Sequence, residues 1–168
     1  METARLELRP LVEEDLDALV ELDGFEAVRA AVDPFAEQIP DDPLARREYE
    51  RRFVGRAGFI GAVDRASGRL LGWFQVEDAT DASGEIELGY RLRPDVWGQG
   101  YATEGATALL EDALRRPGAR RVYAHALLSN PGSIRVMERI GMTYAGPWAY
   151  KGLPGAEYEA LSESGARR

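Results

Sequence analysis

The stretch ELGYRLRPDVWGQGYATEG, residues 87–105, joins an alternating run to a helical run through a turn that contains two glycines. The alternation of apolar and polar residues predicts a half-buried strand that ends at Pro94. Gly98 and Gly100 follow in the turn, and Tyr101 begins the predicted helix. Amides at a helix N-terminus lack intrahelical partners, and the helix dipole adds positive charge there. The stretch therefore predicts either a plain strand-to-helix turn or a cradle for an anion.

The rest of the chain predicts an α+β fold in the order β-α-α-β-β-β-α-β-α-β-β. Prolines divide the helical segment 25–54 into two short helices around a loop that could form a lid or wall of a pocket. The predicted strands cover 5–11, 58–64, 68–77, 84–93, 121–128, 143–152 and 156–162. The other predicted helices cover 12–22, the run from Tyr101 to the RPG at 116–118, and 130–142.

Composition narrows the class of protein. The 168 residues are 45% hydrophobic and 30% charged, which predicts one domain over 1–168. No run approaches the roughly 18 apolar residues of a spanning helix, so we expect a soluble, cytoplasmic protein without a membrane partner. The net charge of -8 and the absence of a basic block argue against nucleic acid as a partner. With no cysteine and only His125, thiolate or all-histidine metal sites and a cysteine nucleophile are excluded.

Two common phosphate-binding motifs do not fit the glycine turn. In the dinucleotide pattern G-x-G-x-x-G the third glycine would fall on Thr103, and no Gly-Lys-Ser/Thr follows as a Walker motif requires. The residues therefore support neither a nicotinamide-dependent enzyme nor a P-loop nucleotidase.

Residues 87–105, taken with SNPGSIRVMERIGM at 129–142, resemble the GNAT superfamily of acyl-CoA-dependent N-acetyltransferases. The similar branch is that of the ribosomal-protein N-terminal acetyltransferases, of RimJ/RimL type. The family signature R/Q-x-x-G-x-G/A matches WGQGYA at 97–102, with Trp97 in place of the leading Arg or Gln. RLELRPL at 5–11 and GRLLGWFQVE at 68–77 also resemble the branch, so the likeness covers nearly the whole chain.

The resemblance implies a mixed, mostly antiparallel sheet with flanking helices, in which central strands 85–93 and 121–128 splay apart. It also implies acetyl-CoA as co-substrate, with its pyrophosphate on the amides of the glycine turn and its pantetheine beside the first of these strands. No metal is implied. The residues that would bind the co-substrate are Tyr90, Leu92, Trp97, Gly98, Gln99, Gly100, Tyr101, Ala102, Thr103, Asn130 and Ser133.

The resemblance places the general base on Glu87. Burial beside an apolar co-substrate would raise its pKa towards working pH, whereas the alternative is a solvated strand residue. Glu85 shares its strand face and is the weaker candidate. Mid-strand His125 could also serve as a base, although a lone histidine is more often structural.

Many members of the family use a tyrosine as general acid, and Met137 occupies that position here. In the similar branch a serine takes over this role, and the corresponding residue is Ser133. It would protonate the leaving thiolate, a role that water could also fill. Asn130 would bond pantetheine and also cap the helix that begins at Pro131, although a cap alone is common without any ligand.

We therefore expect direct transfer of an acetyl group to a primary amine, either a protein N-terminus or a small molecule such as an amino acid, polyamine or antibiotic. The alternative is a non-catalytic acyl-CoA-binding module that acts as a sensor or interaction domain. Dimers are common in the family, so the resemblance is compatible with a homodimer, and the sequence does not decide the oligomeric state. Acidic residues within the 25–54 segment hint at a cationic acceptor or are simply solvated: Asp33, Glu37, Asp41 and Asp42.

Overall fold

The computed structural model describes residues 1–31, 39–78, 83–163 and 165, and it confirms the predicted α+β class. Its strands are β1 (Leu6–Pro10), β2 (Phe59–Asp64), β3 (Leu70–Asp78), β4 (Glu85–Leu92), β5 (Arg121–Leu127), β6 (Thr143–Tyr150) and β7 (Leu153–Leu161). Its helices are α1 (Leu16–Leu22), α2 (Glu26–Ala31), α3 (Pro43–Arg51), α4 (Tyr101–Arg115) and α5 (Pro131–Arg139). Hydrogen bonding orders the sheet as β1-β2-β3-β4-β5-β7-β6.

The parallel pairing of β4 with β5 is short, whereas β1–β2, β5–β7 and β6–β7 are antiparallel. The pairing of β4 with β5 ends where Glu87 lies opposite Tyr123, although β4 continues to Leu92 and β5 to Leu127. The rest of β5 stays paired with β7. This early end of the parallel ladder is the feature that splayed central strands require.

Two compact units divide the chain. Unit 1 comprises residues 1–74 and 90–101, and unit 2 comprises residues 75–89 and 102–168. Strands β3 and β4 contribute residues to both units, and α4 begins at the last boundary. The expectation of a single domain over 1–168 stays a prediction.

Unit 1 has a hydrophobic core built from α1, α2, β2 and β3. The helical spacing of Leu16, Leu19 and Leu22 places three buried side chains on one face of α1. They pack with other apolar side chains, namely Leu11, Val28, Phe59, Val63, Leu70 and Trp73. Trp73 therefore has the packing role expected of a strand tryptophan.

Segment 25–54 forms two short helices, α2 and α3, as predicted, so three helices precede β2 although the predicted element order contains two. Pro43 occupies the first turn of α3, and the Asp42 side chain caps it by accepting the Ala45 amide at 2.8 Å. The loop around Pro34, which we expected to wall a pocket, lies outside the described residues.

The final hairpin of unit 2 begins its second strand at Leu153, earlier than the predicted start at Ala156. Pro154 and Gly155 lower strand propensity, so the pattern missed them. Lys151 and Gly152 have φ values of 48° and 81°, as a two-residue hairpin turn requires. No helix in the described ranges has the length and apolar character needed to cross a membrane.

Candidate functional site

The glycine turn between β4 and α4 leaves two backbone donors exposed to a ligand. Gly98 and Gly100 have φ values of 74° and 84°, a region that favours glycine. The amides of Trp97 and Gln99 donate within the turn, to Pro94 O at 3.1 Å and Val96 O at 3.4 Å. Within the described part of the chain, the amides of Gly98 and Gly100 have no protein acceptor. The turn can therefore donate to an anion just before α4.

An arginine that the sequence did not single out contacts this turn within unit 1. Arg5 Nη1 donates to Gln99 O at 2.9 Å, and the Arg5 guanidinium lies 4.1 Å from the centre of the Tyr101 ring. The Tyr101 hydroxyl donates to Asp64 Oδ1 at 3.3 Å. A Cβ added at Gly100 would lie 3.4 Å from Arg5 Nη2, so the glycine leaves room for the guanidinium.

Trp97, which replaces the leading Arg or Gln of the family signature, fixes the turn to the end of β4. Its Nε1 donates to Leu92 O at 2.8 Å, so this carbonyl already has one protein partner. The Leu92 side chain is buried. Tyr90 packs its ring 5.9 Å from that of Phe74. Both residues predicted to run beside pantetheine are thus ordered parts of unit 1.

Glu87 lies half-buried on β4 within unit 2. Gln75 Nε2 donates to Glu87 Oε2 at 3.4 Å and to Glu77 Oε2 at 3.0 Å. Burial raises the pKa of Glu87, the charge of His125 opposes that rise, and the charge of Glu77 adds to it. A carboxyl with a raised pKa is suited to accept a proton near neutral pH. Of the two alternatives offered by the sequence, a buried carboxyl and a solvated strand residue, the structure supports the first for Glu87.

Glu85 differs from Glu87 because it is engaged in an ion pair. Arg121 Nη1 contacts Glu85 Oε1 at 3.1 Å, and the same guanidinium donates to Glu157 and Glu159 on β7. This network explains why Glu85 is the weaker candidate for a base.

His125 extends the network on the same face of β5. Its Nε2 lies 2.7 Å from Glu157 Oε2, and its ring stacks on Trp148 with 4.4 Å between centres and 12° between planes. Burial raises the pKa of Glu157, but hydrogen bonds from His125 and Arg121 outweigh it and hold that pKa below its usual range. His125 is thus a partnered, partly exposed residue rather than a core one, and Trp148 packs on the sheet as expected.

The start of α5 confirms the capping role of Asn130. Asn130 Oδ1 accepts the Ser133 amide at 3.1 Å, and Pro131 is the first helical residue. Ser133 lies in the first turn, partly exposed, and Met137 is buried in the core. The cap is observed, whereas the contacts of Asn130 and Ser133 with a co-substrate stay predictions.

Unit 1 also contains a buried acidic pair that the sequence did not reveal. Asp23 and Glu50 are fully buried, and Arg91 forms an ion pair with Asp23. Burial, together with the hydrogen bond to Asp23, raises the pKa of Glu50 to about 9. The raised pKa favours the protonated form of Glu50 at neutral pH, in which its hydroxyl would donate to Asp23.

The acidic residues that hinted at a cationic acceptor have other contacts where they are described. Asp41 pairs with Arg29 at 2.7 Å, and Asp42 caps α3. Asp33 and Glu37 lie outside the described residues. Among the described side chains, no group of three or more His, Asp or Glu residues could hold a metal ion.

The predicted residues are distributed over both units. Unit 1 contains the glycine turn with Trp97, Tyr90 and Leu92, and unit 2 contains Glu87, Asn130, Ser133 and the first-turn residues Ala102 and Thr103. Sequence reasoning missed Arg5, Arg121 and Glu157. Their partners lie 94 residues away for Arg5 and 36 for Arg121 with Glu157, so no local pattern could have indicated them.

A family model described as "Acetyltransferase (GNAT) domain" matches residues 5–143. The FsC-acetyl coenzyme A-N(2)-transacetylase of Aspergillus fumigatus is 30% identical over 155 residues, which cover 86% of this chain and 65% of that protein. The chain thus spans less than two thirds of the length of this relative.

Solved structures share the fold along their whole length. A GNAT-family acetyltransferase from Bacillus anthracis has a TM-score of 0.84 and 22% identity, covering 96% of this chain and 97% of that one. The ribosomal L7/L12 α-N-protein acetyltransferase RimL, solved with coenzyme A, has a TM-score of 0.78 and 20% identity, with 96% and 97% covered.

Proposed function

Because the chain belongs to the GNAT acetyltransferase family, we propose that it transfers an acetyl group from acetyl-CoA to a primary amine. The amine attacks directly in a ternary complex, without a covalent enzyme intermediate. The observation that carries this proposal is the pair of amides at Gly98 and Gly100, which precede α4 and have no protein acceptor among the residues that the structure describes. Such donors at a helix N-terminus suit a pyrophosphate.

The chain's own groups fit the co-substrate. The amides of Gly98, Gly100, Tyr101 and Ala102, with Thr103, are proposed to hold the pyrophosphate, whereas the Gln99 amide already donates to Val96 O. The backbone of Tyr90 and Leu92 and the side chain of Asn130 are proposed to bond pantetheine, and Trp97 fixes the turn. Acetyl-CoA supplies the acetyl group as a thioester, activated for attack by an amine.

Glu87 is the proposed general base. The acceptor amine is protonated in water near neutral pH and must lose a proton before it can attack. Burial raises the pKa of Glu87 towards the pH at which it would accept that proton. A base of this kind contributes a rate factor of about 10²–10⁴.

Ser133 is the proposed donor to the leaving sulfur. Its backbone amide donates to Asn130 Oδ1, which fixes Ser133 in the first turn of α5. Met137 has no exchangeable proton and is buried, so it cannot take this role.

The proposed acceptor is a protonated amine. The sheet face of unit 2 that carries Glu87 also carries Glu77, Glu157 and Glu159, and Arg121 pairs with the last two. RimL is named as a protein α-N-acetyltransferase, and the Aspergillus relative is named for transfer to an N(2) position. A homodimer stays a prediction of the resemblance.

Release of CoA thiol across a panel of amines and N-terminal peptides tests the proposal. We expect turnover with at least one acceptor, and we expect Glu87→Gln to lower kcat by about a hundredfold or more. Glu85→Gln is the matched control, because Glu85 lies on the same strand and pairs with Arg121.

The variants test the role of Glu87, and the acceptor panel distinguishes an enzyme from a non-catalytic module. Equal losses in Glu87→Gln and Glu85→Gln would contradict the role of Glu87. Binding of CoA without turnover on any acceptor would favour an acyl-CoA-binding sensor over the enzyme.

A further inference from the structure

We propose that Arg5 is a positioning residue for the diphosphate of acyl-CoA, because it holds the Gln99–Gly100 peptide with its amide turned towards the ligand. This inference rests on the proposed function and adds a residue that neither the motif nor the family signature contains. The two contacts that carry the argument, with Gln99 and Tyr101, lie within unit 1.

The first step is the geometry of one peptide bond. Arg5 Nη1 donates to Gln99 O at 2.9 Å. In a trans peptide the C=O and the following N–H point in opposite directions. The carbonyl held by Arg5 therefore turns the Gly100 amide away from Arg5, and that amide has no protein acceptor among the described residues.

The second step is the charge of the donor. A hydrogen bond from a guanidinium polarises the carbonyl more strongly than one from a neutral group. Polarisation passes along bonded peptide groups, which strengthens the donor at the other end of the same peptide. Arg5 therefore improves the Gly100 amide as a donor as well as orienting it.

The third step is that Arg5 is itself held in place. Its guanidinium lies 4.1 Å from the centre of the Tyr101 ring, and the Tyr101 hydroxyl is bonded to Asp64. Asp64 in turn accepts from the Ser67 amide at 3.0 Å. The donor is thus in position before any ligand binds.

Calorimetric titration with three ligands tests this role. CoA carries the diphosphate and the 3′-phosphate, dephospho-CoA retains only the diphosphate, and pantetheine has neither. We expect Arg5→Gln to weaken CoA and dephospho-CoA about tenfold each, the factor of a lost charge-assisted bond. Pantetheine binding should change less than about twofold, because it does not reach the turn.

A matched control is Arg65→Gln, which also removes one positive charge near the N-terminal strand. Arg65 donates to Thr3 O at 2.8 Å and pairs with Glu2, and neither partner belongs to the turn. This variant should bind all three ligands as the wild type does. Arg5→Lys keeps the charge and one donor, and it should recover part of the loss.

Several results would overturn the inference. These are an unchanged affinity for CoA in Arg5→Gln, an equal loss for pantetheine, a loss confined to CoA that indicates the 3′-phosphate, or the same loss in Arg65→Gln. If Arg5→Gln does not fold, as judged by its melting curve, Arg5→Lys must show a smaller loss of the same ligand pattern or the inference fails. A wild-type protein that binds no CoA would instead refute the proposed function.

The Gly100 amide gives a second readout that needs no ligand. In amide NMR spectra, removal of the Arg5 hydrogen bond should move the Gly100 resonance, because the shared peptide loses its polarisation. Arg65→Gln should leave that resonance in place. A Gly100 resonance that does not respond to Arg5→Gln would contradict the proposed coupling.

Discussion

Replacing the buried carboxyl of Glu50 by the isosteric amide of glutamine should remove a pH dependence from the stability of this protein. With both carboxyls ionised, the Glu50 oxygens and Asp23 Oδ1 have no hydrogen-bond partner among the described residues. When Glu50 is protonated, its hydroxyl can donate a hydrogen bond to Asp23. Together with burial, this hydrogen bond raises the pKa of Glu50 to about 9. The amide of Glu50→Gln can donate to Asp23 at every pH.

The sign and size follow from proton linkage. The folded state keeps the Glu50 proton to about pH 9, whereas an unfolded glutamate releases it at about 4.5. The free energy of unfolding therefore falls as pH rises through this window, by about 1.4 kcal/mol per pH unit. Between roughly pH 6 and pH 8, the wild type should lose about 3 kcal/mol relative to Glu50→Gln.

Urea unfolding followed by circular dichroism at both pH values measures this difference. Glu48→Gln is the matched control, because Glu48 lies on the same helix, is exposed and pairs with Arg51. Its stability should follow the wild type across the pH range. If wild type and Glu50→Gln lose stability in parallel between the two pH values, Glu50 is not protonated in the folded protein and the reasoning is wrong.

Two further predictions concern unit 2. Gly155→Ala should lower the free energy of unfolding by about 1–3 kcal/mol, because the new Cβ would lie 2.6 Å from the Trp148 ring and 2.7 Å from Ala126 O. Thermal unfolding measures it, and an unchanged melting temperature would contradict the close approach. His125→Asn should move the acidic limb of the kcat/KM profile to higher pH, because loss of the imidazolium raises the pKa of Glu87. A limb that stays in place would argue against Glu87 as the titrating base.

Gly89→Ala serves as the control for Gly155→Ala. Gly89 is also a strand glycine, and its nearest neighbour to an added Cβ is Gln75 Oε1 at 3.7 Å, an ordinary contact. Its stability should be close to that of the wild type, since alanine fits there without displacement.

Local features of this protein were predictable from sequence, and long-range ones were not. The glycine turn and the Asn130 cap were predicted because glycine conformations and capping bonds depend on neighbours within a few residues. The Arg5 contact with Gln99 joins residues 94 positions apart, and the Arg91–Asp23 pair joins residues 68 apart. Nothing near either end of these pairs indicates the other.

At the start of β7, tertiary packing outweighs the local strand propensity of the residues. Pro154 and Gly155 are poor strand residues, yet the strand includes both. Gly155 is needed there because Trp148 covers its position, a requirement that only the folded hairpin creates.

The three tryptophans of the chain make it a protein with built-in optical reporters. Trp73 lies in the core of unit 1, so its emission should follow unfolding. Trp97 is 46% exposed and tied to the glycine turn, so its emission wavelength should respond to an anion there. Trp148 stacks on His125 and covers Gly155, so its emission should report on the packing of the final hairpin. Single-tryptophan versions would let folding, ligand occupancy and hairpin packing be followed separately, without any added dye.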